Sequence, residues 1–249
     1  MGIGEIYNRH YSSKNRVDDL SFKFLRKIFK RFDVNRYDDA INMINGIGKK
    51  NSVLDIGCGG GYLLTKLVDC FDVLKGIDVS DVAINNSNEE IKNLTQIELS
   101  VQNADMGLSF SDETFDCVVS LAVIEHVIDV FGVLKEINRV LKPGGYLVVS
   151  VPNIAYVKHR VRLLFGKLPV TSSIYNWESD NWDGGHFHYF THKTFQKLLE
   201  YSGFKIEKVS GSGFFAVFRR LYPSLLVGDI SIVAKKIGGF CDGEDFIVD

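Results

Sequence analysis

Val53-Leu54-Asp55-Ile56-Gly57-Cys58-Gly59-Gly60-Gly61-Tyr62 opens with an apolar strand pattern and ends in a cluster of glycines. Behind it, Leu63, Leu64, Leu67 and Val68 recur at helical spacing, which predicts a helix from Tyr62 to Cys70. The glycines therefore fall at a strand-to-helix turn, where backbone N–H groups lack intrahelical partners and no Cβ keeps a ligand away. Two ligand classes use such a turn, and spacing separates them. The dinucleotide fingerprint Gly-x-Gly-x-x-Gly needs its third glycine where Tyr62 stands. Gly57, Gly59 and Gly61 instead read Gly-x-Gly-x-Gly after the acidic Asp55. A glycine-rich turn can also be purely structural, so the flanking pattern has to decide.

On the C-terminal side, Val73 to Ile77 is a second strand pattern ending in Asp78, where a carboxylate in such a unit meets ribose hydroxyls. A third, Ile97 to Val101, runs into Asn103-Ala104-Asp105-Met106, and a fourth, Phe115 to Leu121, runs into Ala122-Val123-Ile124-Glu125-His126-Val127. Leu141 to Ser150 supplies a helix end, a Pro-Gly-Gly turn and a fifth strand. Helices are predicted near Asp81 to Leu94 and Val130 to Leu141. Strands alternating with helices imply parallel strands and right-handed crossovers, hence a doubly wound α/β fold whose crevice lies at the carboxyl ends of the strands. Asp55, Asp78, Asp105 and Glu125 all converge on that edge, which suits a cationic ligand.

Taken in order, the blocks from 50 to 152 resemble the class I S-adenosylmethionine-dependent methyltransferases, and residues 186 to 237 do so more loosely. In the second region His186-x-x-x-Phe190-Thr191, an amphipathic helix and Gly203-Phe204 are similar to methyltransferases acting on quinone precursors and cell-surface saccharides. The resemblance implies a Rossmann-like, seven-stranded, mostly parallel sheet with helices on both faces and the last strand antiparallel. It implies S-adenosylmethionine as cofactor and S-adenosylhomocysteine as product. The implied cofactor contacts are Asp55, Gly57, Cys58, Gly59, Gly61, Asp78, Val79, Ala104, Asp105, Met106 and Leu121, with Tyr11 from an aromatic N-terminal segment that folds over the cofactor in many members. The implied reaction is O-methyl transfer to a small or lipid- or saccharide-linked acceptor. A Rossmann-type NAD(P)-dependent oxidoreductase and a non-catalytic S-adenosylmethionine-binding protein are the alternatives.

The remaining chain reads as additions. Residues 1–50 are expected to form a helical N-terminal lid, 51–237 the methyltransferase domain with a substrate-lid insertion at 152–185, and 238–249 a flexible acidic tail. In the first of these, Leu20, Phe24, Ile28 and Phe32 recur every four positions among lysines and arginines. This basic amphipathic helix either lies on the domain or meets an anionic partner such as a membrane surface. The apolar connector Phe214 to Pro223 either caps the core or grazes a membrane. The insertion is rich in aromatic and basic residues, as a lid over the ligand edge would be. His186 at its end is the candidate base for the acceptor's proton, with Glu125 and His126 as the other catalytic candidates. His186, His188 and His192 lack a zinc-like spacing, so no metal is expected.

Gross composition bounds the rest. The 249 residues, 45% hydrophobic and 12% aromatic, suffice for one sizeable core, and a net charge of −2 argues against a general nucleic-acid binder. The four cysteines show no Cys-x-x-Cys spacing and are expected to be reduced thiols in a cytoplasmic protein. Met1 to Tyr11 is polar and lacks the apolar centre of a signal peptide. A peripheral contact at the inner membrane surface stays open, as does the oligomeric state.

Overall fold

The computed structural model describes residues 34–48, 50–87, 91, 94–171, 185–213 and 222–240. Its centre is a seven-stranded sheet in the order β3-β2-β1-β4-β5-β7-β6. The strands are β1 (Lys50–Ile56), β2 (Phe71–Asp78), β3 (Ile97–Val101), β4 (Phe115–Leu121), β5 (Leu141–Pro152), β6 (Phe204–Ser212) and β7 (Asp229–Lys236). The first five pair in parallel, and β7 runs antiparallel to both β5 and β6. The chain leaves β1 toward β2 and β3, then returns to lay β4 on the other side of β1. The strand order reverses there, and the crevice of a doubly wound sheet lies at such a reversal, beyond the carboxyl ends.

Period-two alternation divides the core between the two faces of the sheet. Leu54, Ile56, Val118, Leu147, Val149, Ile230 and Ile232 point into one cluster, which α4 (Val130–Val140) and α6 (His192–Tyr201) cover. Val53, Cys117, Val119, Val148 and Val233 point into the other, under α1 (Arg36–Asn45) and the short α2 (Tyr62–Thr65). Helix α4 buries Val130, Val133, Leu134, Ile137 and Val140, a single stripe at three- and four-residue spacing. Asp129 caps its start by accepting from the N–H of Gly132, 2.9 Å away.

Some elements differ from their expected bounds. The helix after the glycine turn stops at Thr65. The Thr65 hydroxyl donates to the carbonyl of Tyr62 at 2.8 Å, and Lys66 and Leu67 make i→i+3 bonds, so the segment tightens into turns. Leu63, Leu64 and Leu67 are nevertheless buried as their spacing required. Helix α3 (Asp81–Asn85) stops short of the expected Leu94: Asn86 caps it with its N–H on the carbonyls of Val82 and Ile84, and neither Ser87 nor Leu94 is helical. The Pro-Gly-Gly segment does not precede β5 but lies inside it. Leu141 pairs with Phe115 and Tyr146 with Cys117, so Pro143, Gly144 and Gly145 form an irregularity, with Gly144 at φ +73°. The insertion contains a helix, α5 (Val157–Leu164), and α7 (Pro223–Leu226) precedes β7. The basic helix Leu20 to Phe32, Tyr11, most of the 214–223 connector and the tail from 241 lie outside the described residues.

Candidate active site

Beyond the carboxyl end of β1 the backbone turns through Gly57 (φ +76°), Gly59 (φ +55°) and Gly61 (φ +80°), conformations that L residues rarely adopt. Gly57 has a second reason to lack a side chain. A Cβ there would stand 2.2 Å from Val123 Cγ2, so the glycine turn packs directly against the loop after β4. The N–H groups of Gly57 and Cys58 both donate to Ile77 O, at 2.8 and 3.0 Å, which ties the turn to the end of β2. Asp78 completes the brace. One of its oxygens accepts from Gly59 N and the other from Ser80 N, both at 2.8 Å.

Two acids lie buried in this turn. Asp55 and Asp78 are 3% and 6% exposed. Burial pushes the Asp55 carboxyl up to about 8, with the negative charge of Asp78 adding to it. Burial also raises Asp78, against the pull of the N–H groups of Ser80, Gly59 and Val79. A crowded pair of buried acids is a place where a positively charged ligand relieves repulsion. The residues therefore fit a cofactor carrying a sulfonium and an ammonium.

The neighbouring loops are cross-tied. Asp105, in a single 3₁₀ turn (Ala104–Met106), accepts from Ile128 N at 2.9 Å and Asp129 N at 3.2 Å through one oxygen. It thus pins the loop after β4 to the loop after β3, a task that its position in sequence did not announce. Ala104, Val79 and Leu121 are half-buried at the edge, Met106 is 84% exposed, and Cys58 is buried beneath the turn. Ala122 sits at φ +58°, a strained backbone for a residue with a Cβ.

The structure brings Glu125, His126 and His186 together, with one ligand atom from each lying within 4.8 Å of the others. Segment 185–188 lies along segment 125–127. Phe187 N and His188 N donate to Glu125 O at 2.9 and 3.2 Å, and His126 Nδ1 bonds to Gly185 O. The His126 and His186 rings meet edge to face, centroids 4.4 Å apart. His186 Nε2 stands 4.0 Å from Glu125 Oε1, and its Nδ1 bonds to Thr171 Oγ1 at 2.6 Å. Glu125 is 1% exposed, and among the described residues neither of its carboxylate oxygens has a hydrogen-bond partner. Burial pushes its carboxyl up to about 8, with the charge of Arg36 pulling the other way.

The other two histidines go elsewhere. His188 Nε2 bonds to Val127 O at 3.0 Å, and His192 is buried in the first turn of α6, where burial lowers its pKa. Thr171 and Arg36 were not among the expected site residues. Arg36 makes a two-point contact with Asp229, at 3.2 and 3.1 Å. No local pattern marks either residue, since each acts through a partner distant in sequence.

Comparison with known proteins agrees with this geometry. A family described as "Methyltransferase domain" matches residues 24–209. The chain belongs to the S-adenosylmethionine-dependent methyltransferases. It is 32% identical over 190 residues to a demethylmenaquinone methyltransferase of Bacillus licheniformis, covering 71% of this chain and 77% of the relative. It is 30% identical over 167 residues to a human mitochondrial ubiquinone biosynthesis O-methyltransferase, covering 64% of this chain and 42% of that protein. Among solved structures, an S-adenosylmethionine-dependent methyltransferase of Methanosarcina mazei aligns with a TM-score of 0.58 at 26% identity, covering 76% of this chain and 93% of that one. One from Mesorhizobium loti, at 17% identity and a TM-score of 0.59 over 81% and 98% of the two chains, shares the fold. The methyltransferase family decides against the oxidoreductase alternative. No helix among the described residues is long and apolar enough to cross a membrane.

Proposed function

We propose that this methyltransferase methylates a hydroxyl oxygen of a small or lipid- or saccharide-linked acceptor at the Glu125, His126 and His186 cluster. The observation that carries the reading is the buried carboxylate of Glu125 beside two imidazoles, just past the end of β4. Bound at the glycine turn, S-adenosylmethionine supplies a methyl group on positively charged sulfur. Asp78 accepts hydrogen bonds at the turn, a cation there favours the charged form of the raised Asp55 carboxyl, and Gly59 lets the backbone come close. An acceptor hydroxyl has to lose its proton as it is methylated, and the cluster provides groups that take or polarise it. His186 is placed for that role, while Thr171 fixes its ring. The names of the Bacillus and human relatives support an acceptor related to quinone precursors. The segment from Pro152, including α5, is the proposed substrate lid.

Calorimetric titration with S-adenosylhomocysteine and with NAD tests the cofactor assignment, and only the first should bind. Asp78→Ala should weaken that binding by about 1.5 to 3 kcal/mol, the scale of a charged hydrogen bond. An unchanged dissociation constant in the folded variant would remove Asp78 from the site. His186→Gln should lower turnover by about 10²-fold or more while S-adenosylhomocysteine affinity and Tm hold. Normal turnover per folded molecule would make His186 structural.

A further inference from the structure

The residue at which the insertion leaves the sheet spends its whole side chain on that exit. Asn153, directly after β5, is 0% exposed. Its Nδ2 donates to two main-chain carbonyls, Ser224 O at 3.0 Å and Val227 O at 2.9 Å, while its Oδ1 accepts from Ala155 N at 3.0 Å. These partners fix the orientation of the amide, since two carbonyls require its NH₂ and an N–H requires its oxygen. The carbonyls belong to the C-terminal end of α7, where intrahelical partners run out, so Asn153 caps that helix from across the sheet edge. The contact with Ala155 is a turn in which a side-chain oxygen stands in for a backbone carbonyl, and it bends the chain toward α5.

The sheet does not need these contacts. Strands β5 and β7 already pair from Tyr146 with Lys235 to Pro152 with Asp229. What the side chain joins is α7 and the first turn of the insertion. The main chain adds to the same knot: Asn153 N donates to Gly228 O at 2.8 Å, Ile154 N to Phe190 O at 3.0 Å and Tyr156 N to Asn153 O at 3.1 Å. The insertion therefore leaves and returns at one point. Thr171 and His186, bonded to each other at 2.6 Å, lie on the chain between these two ends. A rotation of the backbone at 153 to 155 is carried through α5 to where that pair stands.

We propose that Asn153 is a positioning residue for methyl transfer. By capping α7 and turning the chain into α5 at once, it sets the direction of the lid and, through it, the placement of Thr171 and His186, without itself touching cofactor or acceptor. Its effect on turnover rests on the reading of the insertion as the substrate lid and of His186 as the group facing the acceptor. Its effect on where His186 stands does not. Few residues could take its place. Alanine leaves two buried carbonyls and an N–H without partners, and aspartate keeps the turn but sets a carboxylate against both carbonyls. A reacting group held through such supports loses rate steeply when they loosen.

The test uses the full chain with isotope-labelled histidine, whose six imidazoles are few enough to resolve by NMR. The His186 signal is assigned as the one missing from His186→Gln. Because its ring meets that of His126 edge to face at 4.4 Å, its shift depends steeply on placement. In Asn153→Ala and Asn153→Asp the His186 signal should move, while affinity for S-adenosylhomocysteine stays parental. With catechol as the probe acceptor, kcat/KM for the acceptor should fall by about 10-fold or more per folded molecule, and KM for S-adenosylmethionine should not change. Near-UV circular dichroism checks folding, and Asn153→Ser, which keeps a single donor, serves if Asn153→Ala does not fold. An unmoved His186 signal in the folded variants would overturn the proposal. So would parental kcat/KM alongside a moved signal, which would make Asn153 structural only. A parent that leaves catechol unmethylated counts against the hydroxyl-acceptor reading instead, and the His186 signal then decides the placement by itself.

Discussion

At the scale of single residues, the cofactor turn is held by side chains that are absent as much as by those present. Gly57 meets two demands at once, a φ of +76° and the Val123 methyl 2.2 Å from where a Cβ would be. Gly57→Ala should therefore destabilise the protein by about 1 to 3 kcal/mol, from overpacking and left-handed strain together. Trimming the neighbour in Gly57→Ala/Val123→Ala should recover only the packing part, because the backbone strain is untouched. Full recovery in denaturant melts would show that φ costs nothing there. Asp55 makes a second prediction. Its folded value of about 8 lies above the roughly 3.9 of an unfolded aspartate, so between these limits the folded chain binds more protons. Its contribution is present in full below about pH 4 and is lost as pH rises toward about 8. Asp55→Asn should thus reduce the fall in unfolding free energy between about pH 5 and about pH 7.5. Equal slopes for parent and variant would sink the assignment.

At the scale of elements, helix α6 shows how local chemistry sets a boundary. Thr191 accepts from Thr194 N at 3.3 Å while Thr194 Oγ1 accepts from Thr191 N at 2.9 Å, a reciprocal cap that begins the helix where the sequence predicts it. Phe195 and Leu199 then fall four apart on the buried face. Thr191→Ala should cost about 1 kcal/mol, measured by denaturant unfolding. A loss indistinguishable from zero would mean that packing alone positions the helix. The position of α6 also matters to the site, because Asn153 and Phe190 form a bridge just before it and Ile154 N donates to Phe190 O at 3.0 Å. The bridge closes the base of the insertion and returns the chain at His186 to the crevice.

At the scale of the whole molecule, Arg36 and Asp229 link α1 to the start of β7, 193 residues apart, with Ser212 Oγ also donating to Asp229 at 2.7 Å. The pair is partly buried, its side chains 32% and 21% exposed. Removing one partner should cost more than removing both. Arg36→Met leaves Asp229 and the nearby Glu125 without their cation, whereas Arg36→Met/Asp229→Asn relieves part of that imbalance. A double-mutant cycle should return a coupling of about 0.5 to 3 kcal/mol, and strict additivity would exclude the pair as a tie between the sheet's antiparallel end and α1.

Much of this was legible before any coordinates. Strands β3 and β4 begin and end where their apolar patterns do, the glycine turn follows β1, and the acids at 55, 78, 105 and 125 stand at the strand ends. Periodicity, capping and turn chemistry are properties of neighbouring residues, so sequence alone expresses them. The exceptions have local competitors that pattern does not rank: a threonine hydroxyl that ends α2 early, and a strand that continues across Pro143 and two glycines. The candidate catalytic cluster was legible as residue types but not as a geometry. Glu125 meets His186 across 61 residues, His126 takes the carbonyl of Gly185, and Asp105 ties down a loop 23 residues away. Side-chain meetings of this kind depend on how the insertion closes back on the sheet. The sequence by itself determined the doubly wound architecture and its cofactor turn, while only tertiary packing decided which buried carboxylate would face which imidazoles.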